Sequence, residues 1–177
     1  MRSVSARRAV VAAALAPLLA LAAPFAAHAD TGTSAAGAAE QAAVIKDGDS
    51  PYTDSCATGA TTTQSADITV AGAKVGLIEI RHSATCHVAW ARIQLTDAGE
   101  QYANEQTAVA IKRTGPDAIY SCTPTLDKSD SLNAYTCYTS VVLLDGGGSA
   151  LASAVNPAFD ASPDAEAGEV RTESFAE

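Results

Sequence analysis

Two stretches decide how this chain is read: Lys74-Val75-Gly76-Leu77-Ile78-Glu79-Ile80-Arg81-His82 and Cys86-His87-Val88-Ala89-Trp90-Ala91-Arg92-Ile93-Gln94-Leu95. Side chains alternate between two faces along an extended chain. In the first stretch Ile78, Ile80 and His82 then share one face, while Glu79 and Arg81 share the other. In the second, Val88, Trp90 and Arg92 point one way and Ala89, Ala91 and Ile93 the other. If the two pair through Ser83-Ala84-Thr85, Glu79 meets Arg92 across the sheet and Arg81 comes near Trp90.

Working outward, short runs rich in β-branched and aromatic residues recur between turn formers, which is the signature of strands. Strands are expected over residues 67–71, 74–82, 86–95, 107–113, 119–123 and 135–144, with Ala71-Gly72-Ala73 turning the first into the second. A helix is expected only over residues 97–106, where Asp97 and Glu100 have the spacing of a capping box. These elements lie in residues 51–145, which hold all four Cys, the single Trp and every Tyr. The fold class expected is all-β: a small disulfide-stapled antiparallel β-barrel or sandwich with flexible N- and C-terminal flanks.

The flanks carry most of the charge. Residues 1–29 have the layout of a signal peptide: Arg2, Arg7 and Arg8, then an Ala-rich apolar run, then Ala27-His28-Ala29 as a small-x-small cleavage site. The run is interrupted by Pro17 and Pro24 and is shorter than the roughly 20 strongly apolar residues of a stable membrane span. General secretion is favoured over twin-arginine export, because Ala9-Val10-Val11 follows Arg7-Arg8. Three of the 11 basic residues precede the cleavage site and all 20 acids follow it, so a formal charge of −9 becomes −12 on processing. Residues 30–50 read as a flexible linker rich in small residues, and residues 146–177, with six acids and one base, as an acidic disordered tail in which only 149–155 could be helical. A surface this acidic excludes nucleic acid and anionic lipid as partners, since binding to either begins with Lys and Arg neutralising negative charge. A monomer is expected in the extracellular or cell wall space, with no membrane contact after cleavage.

In an oxidising compartment an even number of Cys in a small domain implies disulfides. Three pairings are possible. A cross-strand staple between Cys122 and Cys137 fits a hairpin whose arms are joined by residues 125–133, which leaves Cys56 with Cys86. Each loop is worth about 3 kcal/mol. Cysteines 30, 36 and 15 positions apart, without a C-x-x-C pair, lack zinc-ligand spacing, so neither metal nor cofactor is expected.

Three kinds of chemistry can be weighed. Glu79 and Arg92 suit a structural ion pair, while Arg81, Trp90 and Arg92 could form a binding patch in which Trp offers a flat apolar surface and the guanidiniums grip a carboxylate. His82 and His87 suggest a hydrolase with Ser83, but adjacent residues of a strand face opposite ways, which is wrong for a nucleophile and its base. As zinc ligands with Glu79 they match no known spacing. Residues 125–133, pinned by Cys122 and Cys137, would suit a protease-inhibitor loop. No catalytic residues are assigned, and Gly146-Gly147-Gly148 lacks the Lys-Ser/Thr of a phosphate loop.

Cys56-Ala57, Thr61-Thr62-Thr63, Val75 through Ser83, Cys86 and Ala89-Trp90-Ala91-Arg92 resemble the YjfA-like family, a domain of unknown function. That family occurs in secreted proteins of Gram-positive bacteria, especially actinomycetes, and beyond the DNA-binding part of some regulators. The resemblance covers residues 52–113 and departs at His82, where the family usually has Tyr or Phe; Cys122 and Cys137 lie outside the motif. It implies a small secreted β domain with Cys56 bridged to Cys86, and it brings no catalytic residues with it. The function expected is a non-catalytic extracellular or cell-envelope binding module, its partner a protein or a cell-wall component. The alternatives are a small hydrolase using His82 and His87, and the inhibitor.

Overall fold

Alternation along the first quoted stretch becomes a strand because one of its faces is apolar at its centre: Ile78 and Ile80 are fully buried, and on the neighbouring strand Ile93 and Leu95 join them. The computed structural model describes residues 45–145 and 147–177; the signal expected over residues 1–29 and residues 30–44 of the linker lie outside the described residues. The strands are β1 (Thr61–Val70), β2 (Ala73–Ser83), β3 (Val88–Leu95), β4 (Ala108–Thr114), β5 (Ala118–Cys122), β6 (Lys128–Ser129), β7 (Ala134–Tyr138), β8 (Val142–Leu143), β9 (Ser149–Val155), β10 (Glu169–Arg171) and β11 (Phe175–Ala176). Every ladder is antiparallel. One sheet runs β1-β2-β3-β7-β6 with β8 also on β3; the other runs β10-β9-β4-β5 with β11 also on β9. Two separate sheets face each other across Ile68, Ile78, Ile80, Ile93 and Leu95 on one side and Val109, Ile111, Ala150, Ala152 and Ala154 on the other, which is a sandwich rather than a closed barrel.

The β1–β2 hairpin turns at Ala71-Gly72, both at positive φ (48° and 78°), as a two-residue turn matching strand twist requires. Ala71 has no intrinsic preference for that conformation. Its N–H and that of Gly72 donate to the two Asp160 carboxylate oxygens at 3.1 and 2.8 Å. The Gly72 N–H foremost, with Thr69 and Ala71, holds the Asp160 carboxyl below its ordinary value. The grip is therefore present at neutral pH and is lost as pH falls through that lowered value.

Several expectations need correction. Residues 97–106 form a 3-10 helix only over Asp97–Tyr102, and Thr96 rather than Asp97 stands at its cap position. Thr96 donates through both N and Oγ1 to the Val75 carbonyl, at 3.0 and 3.1 Å, which pins the turn onto β2 before an α-helix can develop. The run 135–144 is two strands, because Thr139–Val141 insert between them: Thr139 N donates to Ala91 O while Ala91 N donates to Thr139 Oγ1. This irregularity reverses the alternation, so Tyr135 faces the main core, Val141 the opposite side, and Val142 the main core again.

Cys122 and Cys137 are bridged, with Cα atoms 6.1 Å apart, but not across a hairpin. Cys122 ends β5 in one sheet and Cys137 sits on β7 in the other, so the bond staples sheet to sheet; the hairpin partner of β7 is β6. Cys56 and Cys86 are bridged with Cα atoms 5.7 Å apart, tying the segment before β1 to the β2–β3 turn.

Residues 147–177 are not a disordered acidic tail. They supply β9, flanked on one side by β4 and on the other by β10 and β11, along with the buried Phe159 and Val170. Residues 149–155 are strand rather than helix, because Ala150, Ala152 and Ala154 alternate with larger outward residues and let the opposite sheet approach closely. Nor do residues 45–50 behave as linker. Gly48 N bonds Val141 O and Val141 N bonds Asp49 O, both at 3.0 Å. Asp47 pairs with the buried Arg113 at 2.8 Å, while Arg113 also donates to Pro116 O and Leu143 O at 2.9 Å each. Arg113→Ala would leave the Asp47 carboxylate and two carbonyls short of their donor. It should lower stability by about 2 to 3 kcal/mol, toward the low end for a buried pair because Asp47 is partly wet. A urea midpoint within a few tenths of a molar of wild type would contradict that role for Arg113.

Candidate functional site

Glu79 lies opposite Arg92 in the β2–β3 ladder, and Arg92 lies opposite Tyr138 in the β3–β7 ladder. The next row places Thr62, Arg81 and Trp90 side by side across β1, β2 and β3. Sheet register thus brings to the outer face of the first sheet side chains that the sequence spreads over 76 positions.

Glu79 is buried, at 5% exposure, and Arg92 grips it through Nε at 2.6 Å and through Nη2. Thr62 Oγ1 donates to the second Glu79 oxygen at 3.1 Å and accepts from Arg81 Nη1 at 2.9 Å. Arg81 Nη2 donates to Ala60 O at 2.5 Å. Arg92 therefore holds the carboxylate directly, and Arg81 reaches it only through the Thr62 hydroxyl. Burial first, then the charge of Arg92, press the Arg81 guanidinium below its ordinary value, while Glu79 acts in the opposite direction. An anion arriving between the two arginines would relieve that repulsion.

Trp90 offers no flat surface. It is 4% exposed and forms a second, smaller core with Cys56, Val88 and Val141, lined further by Ile45, Ala57, Cys86 and Leu143. The segment before β1, held by the Cys56–Cys86 bond, covers it. The aromatic groups that face solvent beside the arginines are Tyr138, 43% exposed next to Arg92, and Tyr52, 61% exposed. Their rings meet edge to face at 4.9 Å, and Tyr52 is close enough to Arg81 to act on its charge. Sequence reading passed over both tyrosines. The one available signal was alternation on β7, which sets Tyr138 on the face opposite Tyr135; nothing local points to Tyr52.

The remaining candidates separate. Ser83 is buried at the end of β2, and His82, also buried, stacks against Phe175 at 4.9 Å between centroids. His87 stands on the turn at φ 52° with its Nδ1 2.9 Å from Glu177 Oε1. Glu79 is engaged by Arg92 and Thr62. Among the described residues no three His, Cys, Asp or Glu side chains are grouped to hold a metal ion. In the 125–133 segment, Lys128 on β6 is tied to Asp97 at 2.5 Å, while Leu126 is 65% exposed.

Fold and site define a disulfide-stapled β-sandwich domain whose outer face combines buried-carboxylate arginines with exposed tyrosines. The chain belongs to the family described as protein of unknown function (DUF2690), whose model matches residues 45–152. That span takes in both disulfides and the first sheet, and it ends within β9. No curated protein and no solved structure matches the chain. Among the described residues no helix is long and apolar enough to cross a membrane.

Proposed function

We propose that the protein is a secreted, non-catalytic binding module of the extracellular or cell wall space, and that it takes its partner on the face formed by Tyr52, Arg81, Arg92 and Tyr138. The observation that carries this reading is the pair of arginines around one buried carboxylate, Glu79, with Arg92 bonded to it directly and Arg81 through the Thr62 hydroxyl, beside two exposed tyrosines in edge-to-face contact. Such a face suits a carboxylate next to an apolar or sugar ring: the guanidiniums hold the charge and the tyrosines cover the ring. A cell-wall component or an extracellular protein carrying that chemistry is the partner class. Both bridged disulfides support an oxidising compartment. The motif around Glu79, Arg81, Cys86 and Trp90, with the Ala-rich leader, supports the YjfA-like assignment and an actinomycete source. The charge of −12 after processing favours a monomer, since copies repel one another. No observation favours the hydrolase or the inhibitor.

The test is co-sedimentation of the processed chain with isolated cell walls and, separately, capture of defined secreted proteins, each repeated with Tyr138→Ala and Tyr52→Ala. Both residues are surface groups, so the variants should melt with wild type while binding falls about tenfold, the equivalent of roughly 1.4 kcal/mol. Undiminished binding by both variants would dismiss this face. Turnover of a substrate by the purified protein would dismiss the non-catalytic reading.

A further inference from the structure

At the turn end of the β2–β3 hairpin, His82 and His87 meet Glu177, which lies about ninety positions further along the chain, and none of the three belongs to the face just described. Phe175 of β11 lies on the His82 ring, with centroids 4.9 Å apart. Two residues on, Glu177 Oε1 lies 2.9 Å from His87 Nδ1 and 3.6 Å from His82 Nε2. The backbone does little to keep this segment in place, since β11 makes only the pairs Phe175 with Ala150 and Ala176 with Ser149. His82 is nine-tenths buried, yet its Nε2 has no hydrogen-bond partner. A neutral imidazole gains little from a carboxylate at 3.6 Å, whereas an imidazolium gains a charge–charge attraction there and converts the His87 contact into an ion pair.

We propose that His82, His87 and Glu177 form a proton-operated clasp that closes the C-terminal strand onto the sandwich in mildly acidic surroundings and loosens it above neutral pH. Imidazoles ordinarily titrate near about 6.5 and glutamates near about 4.3. An imidazolium facing a carboxylate is an ion pair, so the clasp closes only where both kinds of group carry charge, and it loosens once either partner is neutral. Few other groups intervene. Opposite His82 stand Thr61 of β1 and Ala89 of β3, and opposite β11 stand Ser149 and Ala150, none of which titrates here. On the segment packed against the turn, Asp145 follows Leu144, whose N–H bonds to His87 O.

The measurement is hydrogen exchange of residues 174–177 in the full chain from pH 4 to pH 8.5, corrected for intrinsic rates. Protection should peak near pH 5.5 and fall by up to about fivefold by pH 8, the scale of a partly exposed ion pair. It should fall again near pH 4, while residues 108–114 in β4 show no such profile. His87→Gln and Glu177→Gln change surface groups and should flatten the profile without altering exchange in β4. A flat profile in wild type, or an unchanged one in Glu177→Gln, overturns the clasp.

Discussion

A chain ended at Gly148 should not fold, although it retains every strand of the first sheet, both disulfides and most of the span that defines the family. The reason is the position of β9. It pairs along its whole length with β4, from Ala108 opposite Val155 to Thr114 opposite Ser149, and carries β10 and β11 on its other side. Truncation removes the fully buried Ala150, Ala152 and Ala154 together with Phe159 and Val170, and strips the second sheet to the β4–β5 hairpin. A two-stranded hairpin is at best marginal in water and cannot cover Ile78, Ile80 and Ile93. Asn156 would go as well, leaving the fully buried Thr107 hydroxyl without the amide that donates to it at 2.8 Å. Losses of this size exceed the roughly 5 to 15 kcal/mol by which a domain is stable. The truncated chain should give no cooperative urea transition and no near-ultraviolet dichroism. A chain ended at Thr172, which lacks only β11, should retain both. Cooperative unfolding of the shorter chain at the wild-type midpoint would show that residues 149–177 do not complete the sandwich.

Replacing Cys56 and Cys86 with serine should have the next largest effect. The bond closes a loop of about 30 residues, which corresponds to about 3.5 kcal/mol through the unfolded chain. It also anchors the cover over Trp90, since Cys56 is 1% exposed against Val88, Val141 and the indole. Trp90 is the single tryptophan, so its fluorescence reports on this cover directly. The double variant should lose stability and shift its emission to the red. Replacing Cys122 and Cys137 should cost about 3 kcal/mol for the shorter loop but leave the emission in place, because that bond joins the sheets away from the indole. Equal emission shifts in the two variants would mean that the cover depends on the sandwich as a whole rather than on its own staple.

Strand content was legible because alternation is local: β3 carries one unbroken apolar face and β2 sets Ile78 and Ile80 on one side, and Ala71-Gly72 offers the glycine that a two-residue turn needs. Where the same reading failed, the cause lay outside the segment. Residues 149–155 contain only small and aliphatic side chains, and without the closely packed opposite sheet nothing distinguishes a strand with an alanine face from a short helix. The acids of residues 160–177 suggested disorder by composition. In the fold they occupy turns and exposed positions, while Phe159, Val170 and Thr172 between them are buried. Asp160, counted as one more solvated charge, holds the β1–β2 turn. On the candidate site, pairing of the quoted strands is enough to bring Glu79 to Arg92. It does not reveal that the segment before β1 folds back over Trp90, so the aromatic chosen as a contact surface is packed away and Tyr52 and Tyr138 take the exposed positions.

By itself the sequence determined an acidic, cysteine-paired, all-β domain with Glu79 and Arg81 on one face of a strand and Arg92 opposite Glu79 on the next, because charge, oxidation and alternation depend on residue types and their near neighbours. Tertiary structure alone decided that β9 divides the second sheet, that Cys122 reaches across to the other sheet, and which aromatic rings meet water. Those outcomes depend on which distant segments compete to cover the same apolar face, and a strand's own side chains do not encode what will lie against them.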